Sequence, residues 1–205
     1  MMTITYEYGD GLYVNLTNKC DCACVFCLRQ HKEHKGSIYS DDLWLEREPT
    51  RQEALEDLLS RDLPSYAEIV FCGFGEPTYR IDDIYWLCDQ LRAKVSNLPP
   101  IRINTNGHGS LINGKDIVPG LKGRIDVASI SLNGSTAKEY CDVTRPRAGE
   151  EAWQAMLDFV RAAAKEIHVV LTVVDQDKTP EEIQACQKLA DSLGAELRVR
   201  AYVPD

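Results

Sequence analysis

Cys20, Cys24 and Cys27 are spaced Cys-x-x-x-Cys-x-x-Cys, with Phe26 directly before the last and Cys22 lying among them. Thiolates this close bind a soft metal ion or an iron–sulfur cluster. A tetrahedral zinc ion held by all four is a second reading, although zinc sites normally pair two short cysteine knuckles separated in sequence. Chance clustering is a third. The chain's other four cysteines, Cys72, Cys88, Cys141 and Cys186, are scattered, and read as small buried hydrophobes.

Three further stretches carry polar groups at the ends of apolar runs. Phe71-Cys72-Gly73-Phe74-Gly75-Glu76-Pro77-Thr78 places glycines where a backbone can approach a ligand closely. Pro77 biases Glu76 away from helical angles. Asn104-Thr105-Asn106-Gly107 and Ser131-Leu132-Asn133-Gly134 hold turn-forming residues. Arg198 and Arg200 lie two apart and so share a strand face. Buried there, they would need an anion such as a carboxylate or phosphate, or a structural salt bridge to Glu196, Glu76 or Asp126. His168 and Thr172 are expected to point the same way, His168 most simply as a satisfied core residue. The segment Leu28–Pro49, with Arg29, His31, Lys32, His34, Lys35 and Trp44, reads as a long loop beside the cysteines. Trp44 is either a functional residue or an anchor for that loop.

The elements that must position these groups alternate in period. Strands are expected at Leu12–Thr17, Ala67–Cys72, Ile101–Asn104, Ile125–Asn133, Ile167–Val174 and Glu196–Tyr202. Helices are expected over Thr50–Arg61, Asp82–Ser96, Gly149–Lys165 and Thr179–Leu193, the first opened by a Thr50/Glu53 capping box. Gly114–Leu121 is a weak helix candidate because it carries Pro119 and two glycines. Alternating strands and helices predict a parallel sheet with helical crossovers. No linker or repeat divides the chain, so a single domain over 1–205 is expected. Several strands pair an apolar face with a polar one: Ile101 and Ile103 against Arg102 and Asn104, Ala128 and Ile130 against Ser129 and Ser131. A doubly wound sheet, covered on both faces, would read more uniformly apolar. A partial barrel with a polar interior fits better. Its function belongs at the C-terminal strand ends, where Asn18, Glu76, Asn104-Thr105-Asn106, Ser131, Asn133 and Asp175 gather.

The formal net charge of −9 disfavours a nucleic-acid partner. No apolar run reaches the length of a membrane span, and residues 1–10 show no signal pattern. A cytoplasmic location with reduced cysteines is the expectation.

Together, in this order, the motifs resemble the radical S-adenosylmethionine (radical SAM) superfamily, over nearly the whole chain. The resemblance implies a partial (β/α)6 barrel. It implies that Cys20, Cys24 and Cys27 ligate a [4Fe–4S] cluster whose fourth iron binds SAM, leaving Cys22 aside. Phe26 matches the residue whose backbone lies by the adenine. Gly75-Glu76-Pro77 matches the Gly-Gly-Glu-Pro turn that holds the SAM amino group, with Phe74 in place of the first glycine. Ser131 and Asn133 fall where ribose contacts occur, Asn104 and Asn106 join the cofactor set at the third strand end, and Arg198 and Arg200 face the SAM or substrate carboxylate. The implied activity is one-electron cleavage of SAM to methionine and a 5′-deoxyadenosyl radical that abstracts hydrogen from a substrate. That substrate is a small molecule, a nucleotide or a protein, and flavodoxin or ferredoxin is the kind of electron donor implied. Trp44-Leu45-Glu46-Arg47-Glu48-Pro49 and the 72–78 turn resemble, more narrowly, small radical SAM proteins associated with TatD-type nucleases. Two alternatives remain. A glycyl-radical activase shares the cysteine spacing, but its Asp-x-Lys is here Ser131-Leu132-Asn133. A zinc-binding interaction module would have no catalysis at all. The chain ends at Asp205 just after the last strand, so no appended cluster domain is expected.

Overall fold

The computed structural model describes residues 2–27, 29 and 43–202. The strands are β1 (Thr5–Tyr8), β2 (Gly11–Val14), β3 (Glu68–Phe71), β4 (Ile101–Thr105), β5 (Val127–Ser131), β6 (His168–Val174) and β7 (Glu196–Arg200). The helices are α1 (Arg51–Leu59), α2 (Ile81–Lys94), α3 (Gly109–Asn113), α4 (Ala137–Thr144), α5 (Glu150–Ala163) and α6 (Pro180–Leu193). The strands form one sheet in chain order, β1 to β7, with β1 and β7 at its edges. β1 pairs antiparallel with β2, and every later pair is parallel. The architecture is therefore a mixed, mostly parallel sheet with flanking helices, consistent with a partial (β/α) barrel.

The local chemistry explains the elements. α1 begins at Thr50, whose side chain accepts from the Glu53 amide while Glu53 reaches back to the Thr50 amide. α6 repeats this box with Thr179 and Glu182, and Pro180 fills its first turn. Both helices start within a residue of their expected N-termini. β1 departs from expectation. The polar segment before Asp10 forms a hairpin arm with Thr5 opposite Val14, and its Thr5 amide and hydroxyl both donate to Asp57 of α1. α3 and α4 were not foreseen either, and Gly114–Leu121 holds only a short 3-10 turn at Val118–Gly120.

The two faces of the sheet differ as the alternation predicts. Leu12, Val14, Ile69, Phe71, Ile101, Ile103, Ala128, Ile130, Val169 and Leu171 join one hydrophobic core with the inner sides of the helices. Strand register puts Tyr13, Val70, Arg102, Val127 and His168 in one row of the opposite face, and Asn104, Ser129 and Val170 in the next. Arg102 is held there by Glu68 at 2.8 and 2.5 Å and by Asn104 at 2.7 Å. β7 is less enclosed than its alternation suggested. Val199 is 44% exposed, and Arg198 and Arg200 are exposed as well. The premise that these arginines are buried does not hold, because β7 is an edge strand. They form no ion pair among the described residues. No helix among the described residues is long and apolar enough to cross a membrane.

Candidate metal centre

The cysteine loop follows β2 and has no regular structure of its own, so its shape is set by its neighbours. On one side lies the end of α4. A helix leaves its last carbonyls without intrahelical partners, and here the loop supplies amides: Ala23 donates to Thr144 at 3.0 Å and Val25 to Val143 at 2.9 Å. The carbonyl of Asp21 in turn accepts from the Arg147 amide at 2.8 Å. On another side lies the segment 43–48. Asn18 and Leu45 exchange hydrogen bonds, side-chain amide to carbonyl at 2.7 Å and backbone amide to side-chain oxygen at 3.1 Å. The Thr17 hydroxyl donates to Glu48 at 2.7 Å. Of the long segment 28–49, His31, Lys32, His34 and Lys35 lie outside the described residues.

On the third side is the turn after β3. The Glu76 amide donates to the Lys19 carbonyl at 2.8 Å. A Cβ on Gly75 would stand 2.2 Å from the Thr17 oxygen and 2.7 Å from the Lys19 oxygen, so only glycine permits this approach. The Glu76 side chain turns inward and is 4% exposed. Its Oε1 accepts from the Thr78 amide at 3.0 Å, the Thr78 hydroxyl at 2.6 Å and the Thr105 hydroxyl at 2.7 Å. Its Oε2 accepts from the Asn106 amide at 2.8 Å. Burial raises its pKa despite these donors. Pro77 opens a 3-10 turn over Pro77–Arg80. The Phe74 ring packs edge-on against Trp44 with centroids 5.3 Å apart, and the Arg29 guanidinium stacks over Trp44 at 5.1 Å.

Within the loop, the metal-binding atoms of Cys20, Asp21 and Cys22 all lie within 4.8 Å of one another. The Cys22 thiol also bonds to Cys24, and Cys27 is tied to Cys24 by its amide at 3.1 Å. The hydrogen bond from Cys22 lowers the Cys20 pKa, while bonding to Cys20 and Cys24 raises that of Cys22. Burial pushes the Cys27 thiol up. Phe26 is half-buried in the turn between Cys24 and Cys27.

The remaining expected residues fall at two places. Asn106 joins the loop directly: its Nδ2 donates to Asp21 Oδ1 at 2.7 Å and to the Cys22 sulfur at 3.5 Å. Asn133 closes the end of β5, with left-handed backbone (φ 52) and its Oδ1 accepting from the Val174 amide at 3.1 Å. Ser131, half-buried, is in register with Thr172. Asn104 stays on the polar face with Arg102. Arg198, in register with Thr172, lines a cavity of about 190 Å³ with Glu68, Arg102, Ser129 and His168. His168 is exposed and 3.4 Å from Glu196 rather than a satisfied core residue.

Sequence reasoning missed Asp21, His108 and Tyr140. Asp21 lay hidden between two cysteines. His108 followed a turn motif that was read only to its glycine. Tyr140 belongs to α4, whose start was legible in the spacing Thr136-x-x-Glu139; the Thr136 hydroxyl does accept from the Glu139 amide.

A family model described as the Radical SAM superfamily matches residues 14–190. No curated protein matches the sequence. Among solved structures, Streptococcus suis SuiB bound to precursor peptide SuiA is 14% identical, with a TM-score of 0.67 over 97% of this chain and 40% of that one. TYW1 with a lysine-pyruvate adduct bound is 12% identical, with a TM-score of 0.64 over 95% of this chain and 65% of that one. The FeFe-hydrogenase maturase HydG from Carboxydothermus hydrogenoformans is 15% identical, with a TM-score of 0.62 over 95% and 44%. At these identities the likeness is one of fold. The chain spans 40% to 65% of the length of these three structures.

Proposed function

We propose, for a chain that belongs to the radical SAM superfamily, that Cys20, Cys24 and Cys27 hold a [4Fe–4S] cluster and that SAM binds between this loop and the ends of β3, β4 and β5. The donor set suits such a group: soft sulfur ligands in one loop, and a glycine that lets the neighbouring turn close on the loop. When bound, the cluster supplies one electron to SAM, the family-level source of a 5′-deoxyadenosyl radical. The protein's own part is placement. Gly75 and Glu76 set the amino-group turn, Pro77 stiffens it, and the Phe26 backbone flanks the adenine. Asn106 ties the turn to the loop. Ser131 and Asn133 approach the ribose, Asn133 with its Nδ2 because its Oδ1 is already used by Val174.

The observation that carries this reading is the backbone contact between two motifs far apart in sequence, Glu76 amide to Lys19 carbonyl at 2.8 Å. The substrate enters over the polar face, where Asn104, Arg198 and Arg200 supply donors; an anionic group there suits the two exposed arginines. The solved relatives named above carry a peptide, a lysine-pyruvate adduct and a hydrogenase-maturation role in their descriptions, so they name no shared substrate. The narrower likeness to TatD-associated proteins rests on its two sequence runs alone, which meet where Trp44 packs on Phe74. An electron donor of the flavodoxin or ferredoxin kind completes the scheme.

The test is anaerobic reconstitution with iron and sulfide, then incubation with SAM and a strong reductant. The expected result is four irons and four sulfides per chain, with 5′-deoxyadenosine released. Zinc without sulfide, or no 5′-deoxyadenosine with or without candidate substrates, would sink the reading.

A further inference from the structure

A buried polar chain runs beneath the cysteine loop. Asp21 Oδ2 lies 2.7 Å from His108 Nδ1, and His108 Nε2 lies 2.5 Å from the Tyr140 hydroxyl. Both His108 and Tyr140 are 0% exposed. The second Asp21 oxygen takes the Asn106 side-chain amide at 2.7 Å, and the Asn106 amide nitrogen donates to Glu76 at 2.8 Å. Asn106 Oδ1 also accepts from the His108 amide at 3.0 Å. Both Asp21 oxygens thus face side-chain nitrogens, Oδ1 the Asn106 amide and Oδ2 the His108 ring, the arrangement that suits an ionised carboxylate. An ionised carboxylate only accepts, so His108 Nδ1 carries the proton facing it.

Burying an imidazole and a carboxylate costs solvation, and well-packed apolar residues in their place are often as stable. Fold stability alone is therefore a poor reason for the chain. Its two ends supply a better one. One end is the α4 tyrosine, packed on Trp153 with centroids 5.2 Å apart. The other end reaches the Glu76 turn through Asn106. Between them sits Asp21, whose carboxylate is within 4.8 Å of both the Cys20 and Cys22 sulfurs. We propose that Asp21, His108 and Tyr140 are positioning residues: they fix the cysteine loop against the Glu76 turn, and they set a negative charge beside the sulfur of the proposed ligand Cys20. The inference rests on the cluster assignment made above. Outer-shell partners of this kind commonly change metal retention by 10- to 100-fold, and local charge and hydrogen bonding set cluster potential.

The test uses the full chain reconstituted with iron and sulfide. Its readouts are the midpoint potential, by electron paramagnetic resonance during a redox titration, and the rate of iron loss to a ferrous chelator. Asp21→Asn keeps the side chain's shape and removes one negative charge; its cluster is expected to be reduced at a less negative potential than wild type. Tyr140→Phe keeps the ring on Trp153 and removes only the hydroxyl. It is expected to lose iron about ten-fold faster, with the apo-protein's melting temperature within a few degrees of wild type. A purely structural role moves the melting temperature and leaves the potential alone. A wild-type potential in the Asp21→Asn protein, or a wild-type iron-loss rate in the Tyr140→Phe protein, overturns the proposal. Where Asp21→Asn assembles no cluster, the Tyr140→Phe rate decides. A wild-type chain that takes up iron without sulfide fails the cluster assignment instead, which separates the two failures.

Discussion

Gly75→Ala isolates the contact between the Glu76 turn and the cysteine loop. The Gly75 φ is not positive, so alanine suits its backbone, and reduced freedom in the unfolded chain should even stabilise by about 0.4–1 kcal/mol. The opposing term is steric. An added Cβ would sit 2.2 Å from the Thr17 carbonyl oxygen, a backbone atom that cannot rotate away. Restoring an ordinary carbon–oxygen contact moves turn and loop apart by about 1 Å, and overpacking of that kind costs about 1–3 kcal/mol. The backbone partner puts this case at the upper end, so the net loss is about 2 kcal/mol. At about 2–4 °C per kcal/mol for a chain this long, the melting temperature should fall by about 4–8 °C. The assay is thermal unfolding of apo-protein under anaerobic, reducing conditions. The same displacement parts the cysteine loop from the proposed SAM turn, and a misplacement of about 1 Å can cost a factor of about 100 in rate. Release of 5′-deoxyadenosine should therefore drop far more than stability. A melting temperature equal to or above wild type would mean that the loop yields freely, and that Gly75 is not a spacer between the two motifs.

Three further outcomes are expected. Cys24→Ala should lose the cluster, whereas Cys22→Ala keeps it, read as iron and sulfide per chain; equal loss in both would make Cys22 a ligand. Glu76→Gln sets an amide donor against an Asn106 amide that now donates at 2.8 Å, and should destabilise by about 1–3 kcal/mol. The same variant has a pH signature. The folded pKa of Glu76 is raised, so its contribution is complete below the unfolded value of about 4.3 and fades as pH rises through the folded one. Urea unfolding should show a wild-type-minus-variant difference that shrinks with rising pH in that window, and a difference growing with pH would contradict the burial argument. Thr50→Ala should cost about 1 kcal/mol through the lost α1 cap. Its Glu53 partner, held down to about 2 first by Arg47 and then by the Thr50 amide, contributes above about 4.3 and loses that contribution as pH falls toward 2.

The fold was legible where a local rule leaves a pattern. Thr50/Glu53 and the first turn of α6 are side-chain-to-backbone chemistry within four residues, and both helices begin there. The polar face was legible because strand side chains alternate with a period of two. β1 was not, because its support is a hydrogen bond from Thr5 to Asp57, which no local pattern announces. The exposure of Arg198 and Arg200 was also out of reach. Alternation gives the face of a strand, but only topology says that β7 is an edge. At the site, cysteine spacing and the Gly-Glu-Pro turn were readable as motifs, whereas Asp21, His108 and Tyr140 come together only through tertiary structure.

Phe74 shows how a departure from a family motif can be read physically. The family turn has glycine there, and the steric reason for glycine in such a turn is close backbone approach. In this chain that requirement falls on the residues either side of Phe74. A Cβ on Gly73 would meet the Asn15 side-chain oxygen at 2.1 Å, and one on Gly75 the Thr17 carbonyl at 2.2 Å. Residue 74 lies on the bend between these two glycines, and its ring is directed elsewhere. There Phe74 meets Trp44, and Trp44 carries Arg29 on its ring. The substitution therefore leaves the close approach intact and adds an aromatic contact between the turn and the segment that flanks the cysteine loop. Removing it by Phe74→Gly should cost about 0.5–1.5 kcal/mol of aromatic pairing beyond the lost burial, while cluster content stays at wild type. Loss of the cluster in that variant would instead show that Trp44 and Phe74 help to shape the loop, and that the glycines alone do not suffice.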